Sequence, residues 1–255
     1  MKKLILHPEN IPPITISKKE EELLLIFPRQ NKIMAFFTQD YLDFFIELAP
    51  NNNKDWFDEN RKRYHKSVKD PMKAFVDHLI EKGKAINPAW GELEAKDCIF
   101  RINRDIRFSK DKTPYKLNRS AVLVEGGKKN HTTPGLYFEM GPEDLRVYGG
   151  VYKLEKEQLL EVREAIADNL DEFQKAYQDA DFLATYGEIR GDKNKIIPKH
   201  LKAAAEKEPL IFNKNWYYFA KFTPETILRD DLGEFILSKY QAAQKLNKFF
   251  TKHIK

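Results

Sequence analysis

Phe100-Arg101-Ile102-Asn103-Arg104-Asp105-Ile106-Arg107-Phe108 marks the point where the hydrophobic period of the chain changes. Phe100, Ile102, Ile106 and Phe108 alternate with Arg101, Asn103, Asp105 and Arg107, the spacing of a strand with one apolar and one polar face. Downstream, Leu117 to Glu125 reads as a second strand closed by Gly126-Gly127. Leu136 to Met140 and Leu145 to Tyr148 flank Gly141-Pro142-Glu143-Asp144, a hairpin signal. Trp216 to Phe222 reads as one more strand. An antiparallel sheet over about residues 98–150, joined by 216–222, is therefore expected.

On either side the period is helical. Thr38 stands as an N-cap before Tyr41, Leu42, Phe44, Phe45, Ile46 and Leu48. Asn53 caps the next helix, which carries Trp56, Phe57, Tyr64 and Val68, and Asp70-Pro71 reads as a new cap and first position that restarts or kinks it. Met72, Phe75, Val76, Leu79 and Ile80 follow on one face, with Gly83 close to the end. Helices return at about 155–170, 171–180 and 199–207, and a last helical region follows Thr223-Pro224-Glu225. Helices, then strands, then helices define an α+β class, the sheet packed between N-terminal and C-terminal helices.

With 255 residues and 42% hydrophobic residues, the chain can bury a sizeable core. Residues 34–255 read as one domain. Residues 1–33, with four prolines and no amphipathic pattern, read as an extension: an arm without order, or a stretch upstream of a true start at Met34. The single cysteine, Cys98, rules out an intrachain disulfide and reads as a buried, inert thiol. A reducing compartment fits. The longest apolar run near the start is Leu23 to Phe27, too short for a signal peptide or a spanning helix. No membrane partner and a cytoplasmic location are expected.

The charge is concentrated. Between Phe100 and Arg119 lie seven basic residues (Arg101, Arg104, Arg107, Lys110, Lys112, Lys116, Arg119) and two acids (Asp105, Asp111), a net +5. The whole chain has 44 basic and 39 acidic residues, also +5, which leaves 37 of each elsewhere. A local excess of this sort points to an anionic ligand. As a regular strand, the segment would hold Arg101 and Arg107 about 20 Å apart and turn Arg104 toward the apolar face. A bulge, a buried ion pair or a pocket would reconcile Arg104 with that face. The ligand-binding candidates are Arg101, Arg104, Arg107, Lys110, Lys112, Tyr115 and Lys116. Asp105 and Asp111 are the candidate bases, or the partners that hold the arginines.

Other motifs are weaker. The histidines (His7, His65, His78, His131, His200, His253) are scattered without HxxxH or HExxH spacing, so no metal is expected. There is no CxxC, GxGxxG or GxxxxGK[ST], and no cofactor is expected. Gly126-Gly127-Lys128-Lys129 reads as a turn or an anion contact. Trp216-Tyr217-Tyr218 reads as core aromatics or a base-stacking surface.

The run Arg101-x-x-Arg104-Asp105-x-Arg107-Phe108, followed by Asp111-Lys112-x-x-Tyr115, resembles the signature of a bacterial family of conserved hypothetical proteins, domain of unknown function 2461. Asn51-Asn52-Asn53 through Trp56-Phe57, and Pro134-Gly135-Leu136-Tyr137 through Gly149-Gly150, look like the same family. The resemblance covers about residues 34–255 and implies a single domain of about 220 residues but no activity. One departure follows Tyr152, where Lys153 and Leu154 replace a Trp-x-Pro pattern.

Three readings of function follow. In the first, residues 101–119 bind, with or without turnover, a phosphorylated or carboxylated small molecule. In the second, the same motif is an internal ion-pair brace in a structural or interaction protein. In the third, the cations and the Trp216 aromatics line an open face for nucleic acid. The residues do not decide between enzyme and binding protein, and nothing in them requires an oligomer.

Overall fold

In the computed structural model the chain divides between Met34 and Ala35. Residues 35–130 and 133–254 are described below. The extension over 1–33, and with it the choice of start, lies outside them, as does His131.

The first helices follow the apolar pattern. α1 (Gln39–Leu48) buries Tyr41, Leu42, Phe44, Phe45 and Leu48; Thr38 is its N-cap by position, without a side-chain hydrogen bond. Asn53 caps α2 (Lys54–Glu59) by accepting the Trp56 N–H at 3.0 Å. α3 (Arg61–Tyr64) runs into a π-turn, His65–Lys69, and on into α4 (Asp70–Gly83). The expected restart at Asp70-Pro71 takes this form because the backbone stays helical through Asp70, whose side chain caps nothing. Pro71 has no N–H for the carbonyl four residues back, and the wider turn absorbs that loss. α5 (Ala95–Cys98) precedes the basic segment.

Four strands follow: β1 (Arg119–Leu123), β2 (Leu136–Met140), β3 (Leu145–Val151) and β4 (Trp216–Phe222). They pair antiparallel in the order β1-β2-β3-β4. The β2–β3 turn closes where the sequence indicates, the Gly141 N–H donating to the Asp144 carbonyl at 3.0 Å. Between β3 and β4 lie α6 (Lys156–Asp168), α7 (Leu170–Tyr177), α8 (Ala180–Tyr186) and α9 (Lys202–Lys207). α10 (Leu232–Ala242) and α11 (Gln244–His253) end the described chain. The fold is α+β.

One face of the sheet is covered over most of its extent. Ala121, Leu123, Leu136, Phe138, Met140, Leu145 and Val147 join the core of α1, α4 and α10. Val151, Trp216, Tyr218 and Ala220 join a second core built by α6 to α9 and α11. Polar ends inside these cores find partners: the Tyr41 hydroxyl donates to the Met140 carbonyl at 3.0 Å, and the Tyr218 hydroxyl to Asn247 Oδ1 at 2.7 Å. Cys98 is buried, and burial pushes its thiol up to about 11, so little thiolate forms at neutral pH.

The outer edges of the sheet are capped by single pairings. Ile99 bridges Ala121 beside β1, and Arg190 bridges Tyr217 beside β4.

The expected strand over 100–108 is replaced by a loop. Only Asn103 bridges, to Tyr115, flanked by Arg104 N–H to Pro114 carbonyl and Lys116 N–H to Ile102 carbonyl, both 2.8 Å. Ile102 is buried, but Phe108 is 94% exposed. Asp105 and Asp111 turn back onto the backbone N–H groups of Arg107 and Thr113, at 3.3 and 2.9 Å. Such local bonds compete with a strand ladder, and here they prevail over the period-two pattern.

Candidate functional site

The basic segment is a loop stapled by its own side chains. Arg104 reaches Asp111, the Thr113 hydroxyl and, at 3.2 Å, the Thr113 carbonyl. Arg107 forks onto Asp105 at 3.0 and 2.7 Å. Lys112 Nζ donates to the Ile106 carbonyl at 2.9 Å. Tyr115 is a core residue, its ring stacked on Phe57 at 4.0 Å between centroids.

Asp105, held chiefly by the Arg107 side chain, titrates at about 2. Asp111, held by the Thr113 N–H and then by Arg104, also titrates at about 2. Carboxylates this acidic are poorly matched to general-base work at neutral pH. Of the seven candidate ligand contacts, Arg104, Arg107 and Lys112 are engaged within the loop and Tyr115 in the core. Arg101, Lys110 and Lys116 have no ion pair or hydrogen bond to their charged groups among the described residues.

A further cation belongs with these. Arg119, the first residue of β1, is only 5% exposed, and its side chain has no hydrogen bond or ion pair among the described residues. Its charge bears on Tyr41, Tyr64 and Lys116. The Lys116 ammonium, half-buried over the Phe100 ring at 5.7 Å, is held below its ordinary value by burial and by the charges of Arg119 and Arg101. Arg119 stood in the sequence as one more member of a basic run. Its place on the covered face, in step with Ala121 and Leu123, was the signal that set it apart.

The other face of the sheet carries a second constellation. Strand register lays its side chains in rows across all four strands. Val122, Tyr137, Tyr148 and Phe219 form one row, and Ser120, Glu139, Arg146 and Lys221 the next. The aromatic row is continuous: Phe100 to Tyr137 is 5.9 Å, Tyr137 to Tyr148 5.4 Å, and Tyr148 to Phe219 5.2 Å between centroids. Arg190 closes it, 4.4 Å from the Phe219 ring centre. Glu139 accepts from the hydroxyls of Tyr148 and Tyr137, at 3.0 and 3.3 Å. Burial above all pushes the Tyr137 phenol up to about 12.

On the far side of the aromatic row the side chains vanish. Gly150 faces Tyr217 across the β3–β4 pair, and Gly135 lies against Val124. Gly150 has φ +96°, and a Cβ there would collide with the Trp216 carbonyl. A cleft of about 550 Å³ opens over this bare backbone. Tyr148, Tyr152, Tyr217 and Phe100 supply rings to it, and Lys128 and Lys153 supply charge. Lys153, where the Trp-x-Pro pattern fails, is the one non-glycine among the described residues with positive φ, at 57°. Of the Trp216-Tyr217-Tyr218 triplet only Tyr217 reaches this face; its neighbours are buried in the second core. Among the described residues no group of three or more His, Cys, Asp or Glu side chains is placed to hold a metal ion, and no helix is long and apolar enough to cross a membrane.

Fold and site thus define an α+β protein with an aromatic-lined sheet face and a self-stapled basic loop. The chain belongs to the family described as conserved hypothetical protein (DUF2461), whose model matches residues 40–249. No curated protein and no solved structure matches it.

Proposed function

We propose that this protein binds a small phosphorylated or carboxylated molecule through the cations its basic segment leaves unpaired, with Arg119 at the centre and Lys116 and Arg101 beside it. The observation that carries this reading is the isolation of Arg119. Among the described residues the other buried charges are at least hydrogen-bonded: Asp144 pairs with Arg146 and Lys221, Glu208 accepts from Gln174, Tyr177 and the Leu210 N–H, and Arg163, which has no acid partner and an unbonded Nε, still donates to the Asn213 carbonyl at 2.8 Å. An uncompensated buried cation costs several kcal/mol, which a bound anion offsets. Arg offers a planar fork for phosphate or carboxylate, and Lys a mobile point charge.

The test is thermal unfolding with and without inorganic phosphate or a small dicarboxylate at matched ionic strength, for the parent protein and Arg119→Met. Binding raises the parent midpoint and leaves the variant unmoved. A parent midpoint indifferent to every anion defeats the proposal.

A second reading is favoured by a separate observation. The family motifs interlock, Asn52 on the backbone of Tyr115 and Phe57 on its ring. In this reading residues 101–117 are an internal brace. Arg104 and Asp111 then serve the brace while Arg119 serves the ligand.

A further inference from the structure

The cleft over Gly150 lies on the sheet face opposite Arg119 and adjoins the Arg119 cations at Phe100, whose ring carries Lys116 at 5.7 Å, but its lining specifies a different kind of ligand. Its floor is main chain, because neither Gly135 nor Gly150 projects a side chain. Its walls are the rings of Phe100, Tyr137, Tyr148, Tyr152 and Tyr217. Tyr152 and Tyr217 meet edge to face at 6.0 Å, and Tyr148 stands next to Gly150 on the same face of β3. A flat floor between rings admits a planar group and stacks it.

The polar lining is equally selective. Among the described residues Lys153 makes no ion pair or hydrogen bond with its ammonium, and Lys128 Nζ is held only by the carbonyls of Lys96 and Ile99, so neither charge meets an anion there. Asn215, a lining residue, has its Oδ1 buried without a donor among the described residues, and Asp192 adds a carboxylate with no cation among them paired to it. The cleft therefore presents rings for a planar group, acceptors for hydroxyl or ring N–H donors, and ammonium groups for an anion. Its volume is in the range of pockets that hold cofactor-sized molecules.

We propose that this cleft is a binding site for a mononucleotide-like ligand, its planar ring over Gly150 between Tyr148 and Tyr217, its donors toward Asp192 and Asn215, and its anionic group toward Lys128 and Lys153. This site does not depend on the Arg119 proposal. A small ligand is favoured over a polynucleotide because the glycine floor is bounded by Tyr148 on β3 and by Tyr152 just past the end of that strand.

The experiment is calorimetric titration of the full chain with AMP, UMP and FMN, and with adenosine, ribose 5-phosphate and a single-stranded oligonucleotide. At least one nucleotide binds more tightly than the nucleoside and than ribose 5-phosphate. Tyr217→Ala weakens it by about fivefold to a hundredfold, the effect of losing one stacking ring, whereas Tyr217→Phe keeps it. Lys153→Ala weakens the nucleotide and leaves the nucleoside unchanged. Arg119→Met leaves nucleotide affinity intact. The proposal is overturned if no nucleotide binds, if Tyr217→Ala has no effect in a folded variant, or if the oligonucleotide binds far more tightly than any mononucleotide. It is also overturned if Arg119→Met abolishes nucleotide and phosphate binding together, which would place the ligand among the Arg119 cations.

Discussion

Asn52 pairs with the main chain of Tyr115 as a neighbouring strand would. Its side-chain Oδ1 accepts the Tyr115 N–H at 3.1 Å, and its Nδ2 donates to the Tyr115 carbonyl at 2.9 Å. One amide thus satisfies both backbone groups of a buried residue. Asn52→Ala leaves both without a partner and is expected to cost about 1–3 kcal/mol. In a domain of this size each kcal/mol lowers the midpoint by about 2–4 °C. Asn52→Asp, which loses only the donor, should fall between the variant and the parent in urea or thermal unfolding.

Phe57 and Tyr115 are expected to act as a unit. Each ring truncated to alanine costs about 3–5 kcal/mol. The double variant should cost less than the two together by about 0.5–1.5 kcal/mol, the worth of a stacked aromatic pair. Tyr115→Phe, which preserves the stack, should be close to neutral. A double-mutant cycle in urea decides this, and strict additivity would show that the rings do not couple.

The loop staples set an acid limit. Asp105 and Asp111 titrate at about 2 in the fold, against an ordinary value of 3.8. Folding therefore favours their ionised forms. The contribution is complete above the ordinary value and is lost as pH falls through about 2. Carboxyl-carbon NMR shifts of the two residues should move in that window, with loop amides of 104–113 changing alongside. Arg104→Ala should raise the midpoint of Asp111. It should lower the melting temperature by only a few degrees, because Asp111 is exposed and water screens the pair.

Two glycines separate backbone strain from collision. Gly187 has φ +75° and ψ −52° with open space around it, so Gly187→Ala should cost about 1–3 kcal/mol from backbone strain alone. Gly150 adds to its positive φ a clash with the Trp216 carbonyl inside the β3–β4 ladder. Gly150→Ala should cost clearly more in denaturant titration, and equal losses would mean that β4 yields without penalty.

Elements governed by local chemistry were legible in the sequence. Asn53 caps where an Asn before an apolar run should, and Trp216–Phe222 is a strand over its whole length. Residues 100–108 were not, because alternation measures side-chain character and is blind to Asp105 and Asp111 bonding the backbone two residues on. The sheet-face cleft was less legible still. Phe100, Lys128, Tyr148 and Tyr217 meet only through strand register. A signal was nonetheless present in the polar or aromatic second faces of β2, β3 and β4: Tyr137 with Glu139, Arg146 with Tyr148, Tyr217 with Phe219 and Lys221.

The single pairings at the outer edges of the sheet have a consequence for association. Strand-swapped dimers and fibrils begin when an unpaired edge accepts a strand from another chain. Here Ile99 occupies the middle of β1, and Arg190 exchanges both backbone bonds with Tyr217 at 2.7 and 3.1 Å while its guanidinium covers Phe219. An incoming strand must first evict its own chain's neighbours, so a second copy of this protein is steered toward side-chain contacts and away from extension of the sheet.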